Sequence, residues 1–205
     1  IRVWLNMNTE AFLRALPKAE LHLHIEGTLE PEMTFELAAK HGIQLPYTDV
    51  AALRNAYNFS NLQSFLDIYY QGVQVLKDAD DFYRLTYAYL ERAHADGVVH
   101  VEIFFDPQSH LERGIPLSLV FEGITHALKV GEYKFGITHR LIPCFLRHLS
   151  EDAAMQTLEA LLPYREHICA VGLDSSENGH PPSGTFSTKV DLTLPPSAFS
   201  MARRP

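Results

Sequence analysis

Two cysteines in 205 residues, Cys144 and Cys169, are too few for a disulfide framework, and a reducing cytoplasm is the expected setting. No run of about 18 or more apolar residues occurs, so no membrane span is expected. Ile1 to Met7 contain one arginine and no long apolar stretch, and they do not read as a signal peptide. Positive charge is scarce as well: 17 Lys and Arg stand against 25 Asp and Glu, a formal net charge of −8. Binding nucleic acid without regard to sequence needs a basic stripe that displaces counterions, so nucleic acid is not an expected partner. A Gly-rich loop of P-loop or Rossmann spacing is missing too, which argues against nucleotide phosphates as the target. What is present is 46% hydrophobic residues, enough core for one generous domain or two small ones. Eleven histidines are the unusual count, and they prompt a search for metal or proton chemistry.

Hydrophobic period alternates between strand and helix along the chain. Ala19 to Ile25 reads as a strand, and Gly27, Thr28 and Pro31 open a helix that stops at Gly42. Two helical stretches follow, around Leu62 to Leu76 and Asp81 to His94, before a strand at Val98 to Phe105. A helix from about Pro116 to Val130 leads to a strand at Ile137 to Leu146. Ser150 caps another helix, whose expected buried stripe is Met155, Leu158, Leu161 and Leu162. The last clear strand is Cys169 to Leu173. These make four βα units with a helical insertion after the first, the pattern of a parallel sheet covered by helices. Such sheets keep their chemistry at the carboxyl ends of the strands. Polar clusters stand there: His22, His24 and Glu26, then Asp106, then Arg147 and His148, then Asp174 to Glu177. Residues 1–15 read as an N-terminal extension, and 183–205, with scattered Ser, Thr and Pro, as a divergent tail without packed structure.

The sharpest local feature is Glu20-Leu21-His22-Leu23-His24-Ile25-Glu26-Gly27. Strand residues two apart point to one side, so His22 and His24 present two imidazoles together. Zinc suits such a pair, at about 2.0–2.1 Å from each nitrogen, with further ligands from elsewhere. The plain alternative is two strand histidines bonded to neighbours. Placement at a strand's carboxyl end, just before a glycine and a helix start, favours the metal.

At this point the sequence resembles a known family. Leu16-Pro17-Lys18-Ala19-Glu20-Leu21-His22-Leu23-His24-Ile25-Glu26-Gly27-Thr28-Leu29-Glu30-Pro31-Glu32 is similar to the first-strand signature of the adenosine/adenine deaminases. The resemblance runs from about Leu16 to Pro182 and takes in Phe104-Phe105-Asp106-Pro107-Gln108, Phe145-Leu146-Arg147-His148 and Leu173-Asp174-Ser175-Ser176-Glu177. Within the family these segments look more like adenine than adenosine deaminases. The resemblance implies a zinc-dependent TIM barrel, (β/α)8, of which about the first four βα units are present here. It implies His22 and His24 as zinc ligands, and substrate contacts from Glu26, Gly27, Leu62, Phe65, Asp106 and Glu177. Glu26 matches a position that faces ribose in adenosine deaminases, and Leu62 and Phe65 match a helical lid over the purine. Ordinary core is the plain reading of those two apolar residues, and helix caps or turns the plain reading of Asp106 and Glu177. The implied reaction is hydrolytic removal of the exocyclic amine of adenine, giving hypoxanthine and ammonia, with zinc making hydroxide available near neutral pH. The implied partner is thus a small purine, with no nucleic acid and no membrane; no sequence feature specifies an oligomeric state.

The family's remaining machinery does not occur in this sequence: no His-Ala-Gly-Glu segment carrying the proton-donating glutamate, and no Ser-Asp-Asp. The expectation is therefore an N-terminal half barrel, without deaminase activity unless it assembles with a complementary half. A cytidine-deaminase site fails as a rival, because Arg147 stands where the second cysteine of Pro-Cys-x-x-Cys belongs. A two-metal amidohydrolase would want a lysine at the end of the fourth strand, where Asp174 to Glu177 stand instead. Adenosine deaminase is the nearest enzymatic alternative, and a non-catalytic barrel fragment the alternative of another class.

Overall fold

Lys18–His24 (β1), Val98–Phe105 (β2), Thr138–Leu146 (β3) and Gly172–Asp174 (β4) form one parallel sheet in the order β1-β2-β3-β4. The computed structural model describes residues 9–181. The described residues form eight α-helices: α1 (Thr9–Ala15), α2 (Pro31–His41), α3 (Val50–Ala56), α4 (Leu62–Gly72), α5 (Ala79–Ala95), α6 (Pro107–Leu111), α7 (Leu117–Phe135) and α8 (Glu151–Leu161). This is a curled half of a TIM barrel, with α3 and α4 forming the insertion after the first βα unit. The expected tail at 183–205 lies outside the described residues.

Alternation along β2 shows how the layers are assigned. Val101, Ile103 and Phe105 are fully buried against the helices, while His100, Glu102 and Phe104 lie between them, only partly covered. In β1 the pairing to β2 slips by one residue between Glu20 and Leu23. This bulge lets Glu20 accept a hydrogen bond from the Tyr89 hydroxyl of α5 at 2.7 Å, while His24 pairs in register with Phe104 on the other face.

Helix starts follow from their capping residues. Asp49, Asn61, Asp78 and Ser150 each accept the amide three positions into their helices, and Asn61 and Asp78 complete capping boxes with Ser64 and Asp81. Gly42 ends α2 in the left-handed conformation that the sequence led one to expect. One expectation is corrected. The covered stripe of α8 is Ala154, Thr157, Leu158 and Leu161, whereas Leu162 is 37% exposed and Met155 only partly covered. Small residues can approach β3 closely, and Thr157 satisfies its hydroxyl on the Ala153 carbonyl, so a polar residue is admitted to the stripe. The expected last strand is also shorter. Cys169 stays exposed beside the sheet, its amide bonded to the Leu141 carbonyl, and regular pairing starts at Gly172.

Candidate functional site

Both histidines of β1 rest on one aromatic ring. His22 stacks on Phe104 with centroids 4.5 Å apart, His24 does so at 5.4 Å, and the two imidazoles are 5.4 Å from each other. His24 Nδ1 faces two carboxylates delivered by the ends of β4 and β2: Asp174 Oδ2 at 3.2 Å and Asp106 Oδ1 at 3.9 Å. Cys144, from β3, completes a group of four whose donor atoms all lie within 4.8 Å of one another. Parallel strands bring these residues together from positions 24 to 174, because each strand contributes its carboxyl end to the same rim.

The electrostatics are those of a site built for positive charge. Asp106 Oδ1 and Asp174 Oδ1 are buried without a hydrogen-bond partner, a costly arrangement unless a cation supplies the missing interaction. Burial disfavours a charged His24, but the carboxylates of Asp106 and Asp174 beside it outweigh that and raise its pKa to about 10. Burial, reinforced by the Asp106 charge and opposed by His24, lifts Asp174 to about 7. Asp106 is pushed up by burial, yet His24 and the Tyr69 hydroxyl, which donates to its Oδ2 at 2.9 Å, hold it below the ordinary carboxylate range. The Cys144 thiol is pushed well up, by burial first and then by the Asp174 charge, so it is protonated at neutral pH. An ion that displaces the His24 proton finds imidazole nitrogen and carboxylate oxygen as donors, a set that zinc accepts.

A cleft of about 400 Å³ opens beside this group. His22, His24, Leu62, Phe65, Asp106 and Glu177 all line it, so six of the residues singled out from the sequence share one cavity. Leu62 and Phe65 are 48% and 37% exposed; α4 turns them toward the cleft and buries Leu66 instead, which removes the ordinary-core reading. Glu177 is exposed and paired with Arg147 at 2.7 Å. Glu26 and Gly27 are not brought to this cleft. They line a neighbouring, mostly apolar cavity of about 170 Å³ beneath the insertion, and Phe65 and Tyr69 form the wall between the two. Glu26 is enclosed: its Oε1 accepts the Asp106 amide at 2.9 Å and faces His110 Nε2 at 2.8 Å.

Sequence reasoning left Asp174 as one of several polar residues after a strand, gave Cys144 no role, and passed over Tyr69 altogether. The usable signal for Asp174 was its place at a strand's carboxyl end, shared with Asp106. Ser175, just beyond it, has a left-handed backbone (φ 76°), uncommon for a residue with a side chain. Its hydroxyl is held by the Tyr70 hydroxyl at 2.8 Å and by His148 Nδ1 at 3.0 Å.

A half barrel with an imidazole–carboxylate group at the carboxyl ends of its strands is the architecture of metal-assisted amidohydrolases. The chain belongs to the adenosine deaminase family, whose profile matches residues 17–191. It is 59% identical over 173 residues to an adenine deaminase of Vibrio parahaemolyticus, covering 84% of this chain and 51% of the relative. An adenine deaminase of Pseudomonas fluorescens is 60% identical over 172 residues, with 84% and 54% covered. Among solved structures, adenine deaminase from Arthrobacter aurescens superposes with a TM-score of 0.81 at 51% identity, covering 83% of this chain and 52% of that one. An amidohydrolase from Burkholderia ambifaria with bound Zn superposes with a TM-score of 0.76 at 28% identity, over 88% and 50% of the two chains. The chain thus spans about half the length of the relatives it matches.

Proposed function

We propose that this chain carries the first half of an adenine-deaminating site, in which the 400 Å³ cleft receives the purine and the His22/His24 rim holds a zinc ion. The observation that carries this reading is the pair of orphaned, buried carboxylate oxygens beside His24, in a chain about 60% identical to proteins named adenine deaminases. His22 and His24, with the orphaned oxygens of Asp106 and Asp174, would hold the ion. When bound, it lowers the pKa of water so that a hydroxide nucleophile is available near neutral pH. The chain's own residues then orient the base. Leu62 and Phe65 close over an aromatic plane and exclude water. Asp106 keeps its carboxylate ionised on Tyr69 and His24. The substrate class is a free 6-aminopurine, and the products are hypoxanthine and ammonia.

The reading is tested by calorimetric titration of the chain with Zn²⁺ and then with adenine and adenosine. Expected are stoichiometric zinc uptake lost in His24→Ala, and saturable adenine binding tighter than that of adenosine. Zinc uptake unaffected by His24→Ala, or no saturable response to adenine, would overturn it.

A further inference from the structure

His110 has a buried side chain outside the cleft, and each of its ring nitrogens has a single polar neighbour. Nδ1 lies 2.7 Å from Arg113 Nη2, and Nε2 lies 2.8 Å from Glu26 Oε1. A guanidinium only donates, so Nδ1 is the acceptor and the ring proton sits on Nε2, aimed at Glu26. Arg113 is itself fixed, donating from Nε to the Ser109 carbonyl at 3.0 Å and from Nη1 to the Leu76 carbonyl at 2.9 Å. The His110 ring is held edge-on against Phe82, with centroids 4.9 Å apart.

At the other end, the same Glu26 oxygen accepts the backbone amide of Asp106. Glu26 follows His24 by two residues in the chain, so this carboxylate joins the ends of β1 and β2 where both enter the donor group. The side chains of His110 and Glu26 are wholly inaccessible to solvent. Neither lines the cleft, and Glu26 reaches the donor group through the Asp106 amide and through the Tyr69 hydroxyl, 3.3 Å from its Oε2.

We infer that His110, fixed in the Nε2–H form by Arg113, is a positioning residue that holds Glu26 so that β1 and β2 present His24 and Asp106 to one metal ion. The inference rests on the metal-centre reading above, and it assigns roles to two residues that the cleft itself does not contain. Residues that orient ligands from behind are worth about ten- to a hundred-fold in metal affinity.

The test uses the 205-residue chain labelled with ¹⁵N. Long-range ¹H–¹⁵N spectra of the imidazoles at one pH read the tautomer without any metal, and Zn²⁺ competition against a chromophoric chelator reads affinity. Expected is Nε2–H His110 in the parent chain, a mixture of tautomers in Arg113→Met, and a loss of zinc affinity of about ten-fold or more in both Arg113→Met and His110→Leu. His110→Gln, which keeps a donor for Glu26 and an acceptor for Arg113, restores most of that affinity. Melts of the metal-free variants identify any that fail to fold; Arg113→Met keeps the His110 ring and carries the test if His110→Leu does not fold. A parent His110 in the Nδ1–H form, or unchanged zinc affinity in folded Arg113→Met and His110→Leu, overturns the inference alone. The correct tautomer without any zinc uptake by the parent chain overturns the metal-centre reading, and the positioning role with it.

Discussion

Asp81 shows how a single buried charge is kept. Its side chain is wholly enclosed, and burial alone would raise its pKa, yet Lys40 Nζ at 2.8 Å and the amides of Lys77 and Asp78 at 2.8 and 3.0 Å bring it below the ordinary carboxylate range. A carboxylate whose folded pKa is depressed stabilises the fold above its unfolded pKa, about 3.9, and that contribution fades as pH falls through the folded value. Urea melts should therefore lose stability steeply below about pH 4, and the loss should be much shallower in Asp81→Asn. At pH 7, Asp81→Ala should cost on the order of 3 kcal/mol, since the Lys77 and Asp78 amides and the His41 ring lose their acceptor, while Lys40 keeps Asp78 and Asp80. The same scale explains what could and could not be read from sequence. His22 and His24 announce themselves by spacing together with their place at a strand's carboxyl end. Glu26 and His110 are 84 positions apart, and nothing local in either segment hints that they share a proton.

Among the elements, α5 and α7 pack most tightly, and two glycines of α7 set the separation. A Cβ at Gly123 would fall on the Ala79 carbonyl and 2.6 Å from Phe82 Cβ, both fixed parts of α5. At Gly131 the nearest obstacle is Leu90 Cδ1 at 2.6 Å, the far end of a side chain that can turn. Gly123→Ala should accordingly lower stability by about 1–3 kcal/mol, and Gly131→Ala by clearly less, measured as paired chemical denaturation curves. Most elements were legible because their boundaries carry chemistry: Gly42 for α2, Ser150 for α8, Val98 to Phe105 for β2. The exceptions have physical reasons. α6 is five residues long, and its cap, Asp106, reads as a loop because its side chain serves the donor group instead of the helix. α1 and α3 bury at most one residue each, too little for a hydrophobic stripe to stand out.

At the scale of the whole molecule, the proposed ion site predicts that folding and ion binding are linked. Ions that bind only the folded chain stabilise it by about 2.7 kcal/mol at a hundred times the dissociation constant. In a domain of this size, saturating Zn²⁺ should raise the midpoint of a cooperative melt by roughly 5–10 °C, and His24→Ala should abolish the increment. A broad transition indifferent to zinc would contradict that linkage. The parallel architecture and the location of the site at the strand ends were legible because βα alternation implies both. The division into two cavities was not, since it depends on where α4 lays Phe65 and Tyr69. The slip in β1 has its own consequence. One surplus residue lets a short strand serve two masters, clasping a tyrosine behind the sheet through Glu20 and offering paired rings in front. Removing Leu21 would force the strand to give up one of them, so deleting a residue that is itself no ligand should cost either the clasp or the ion.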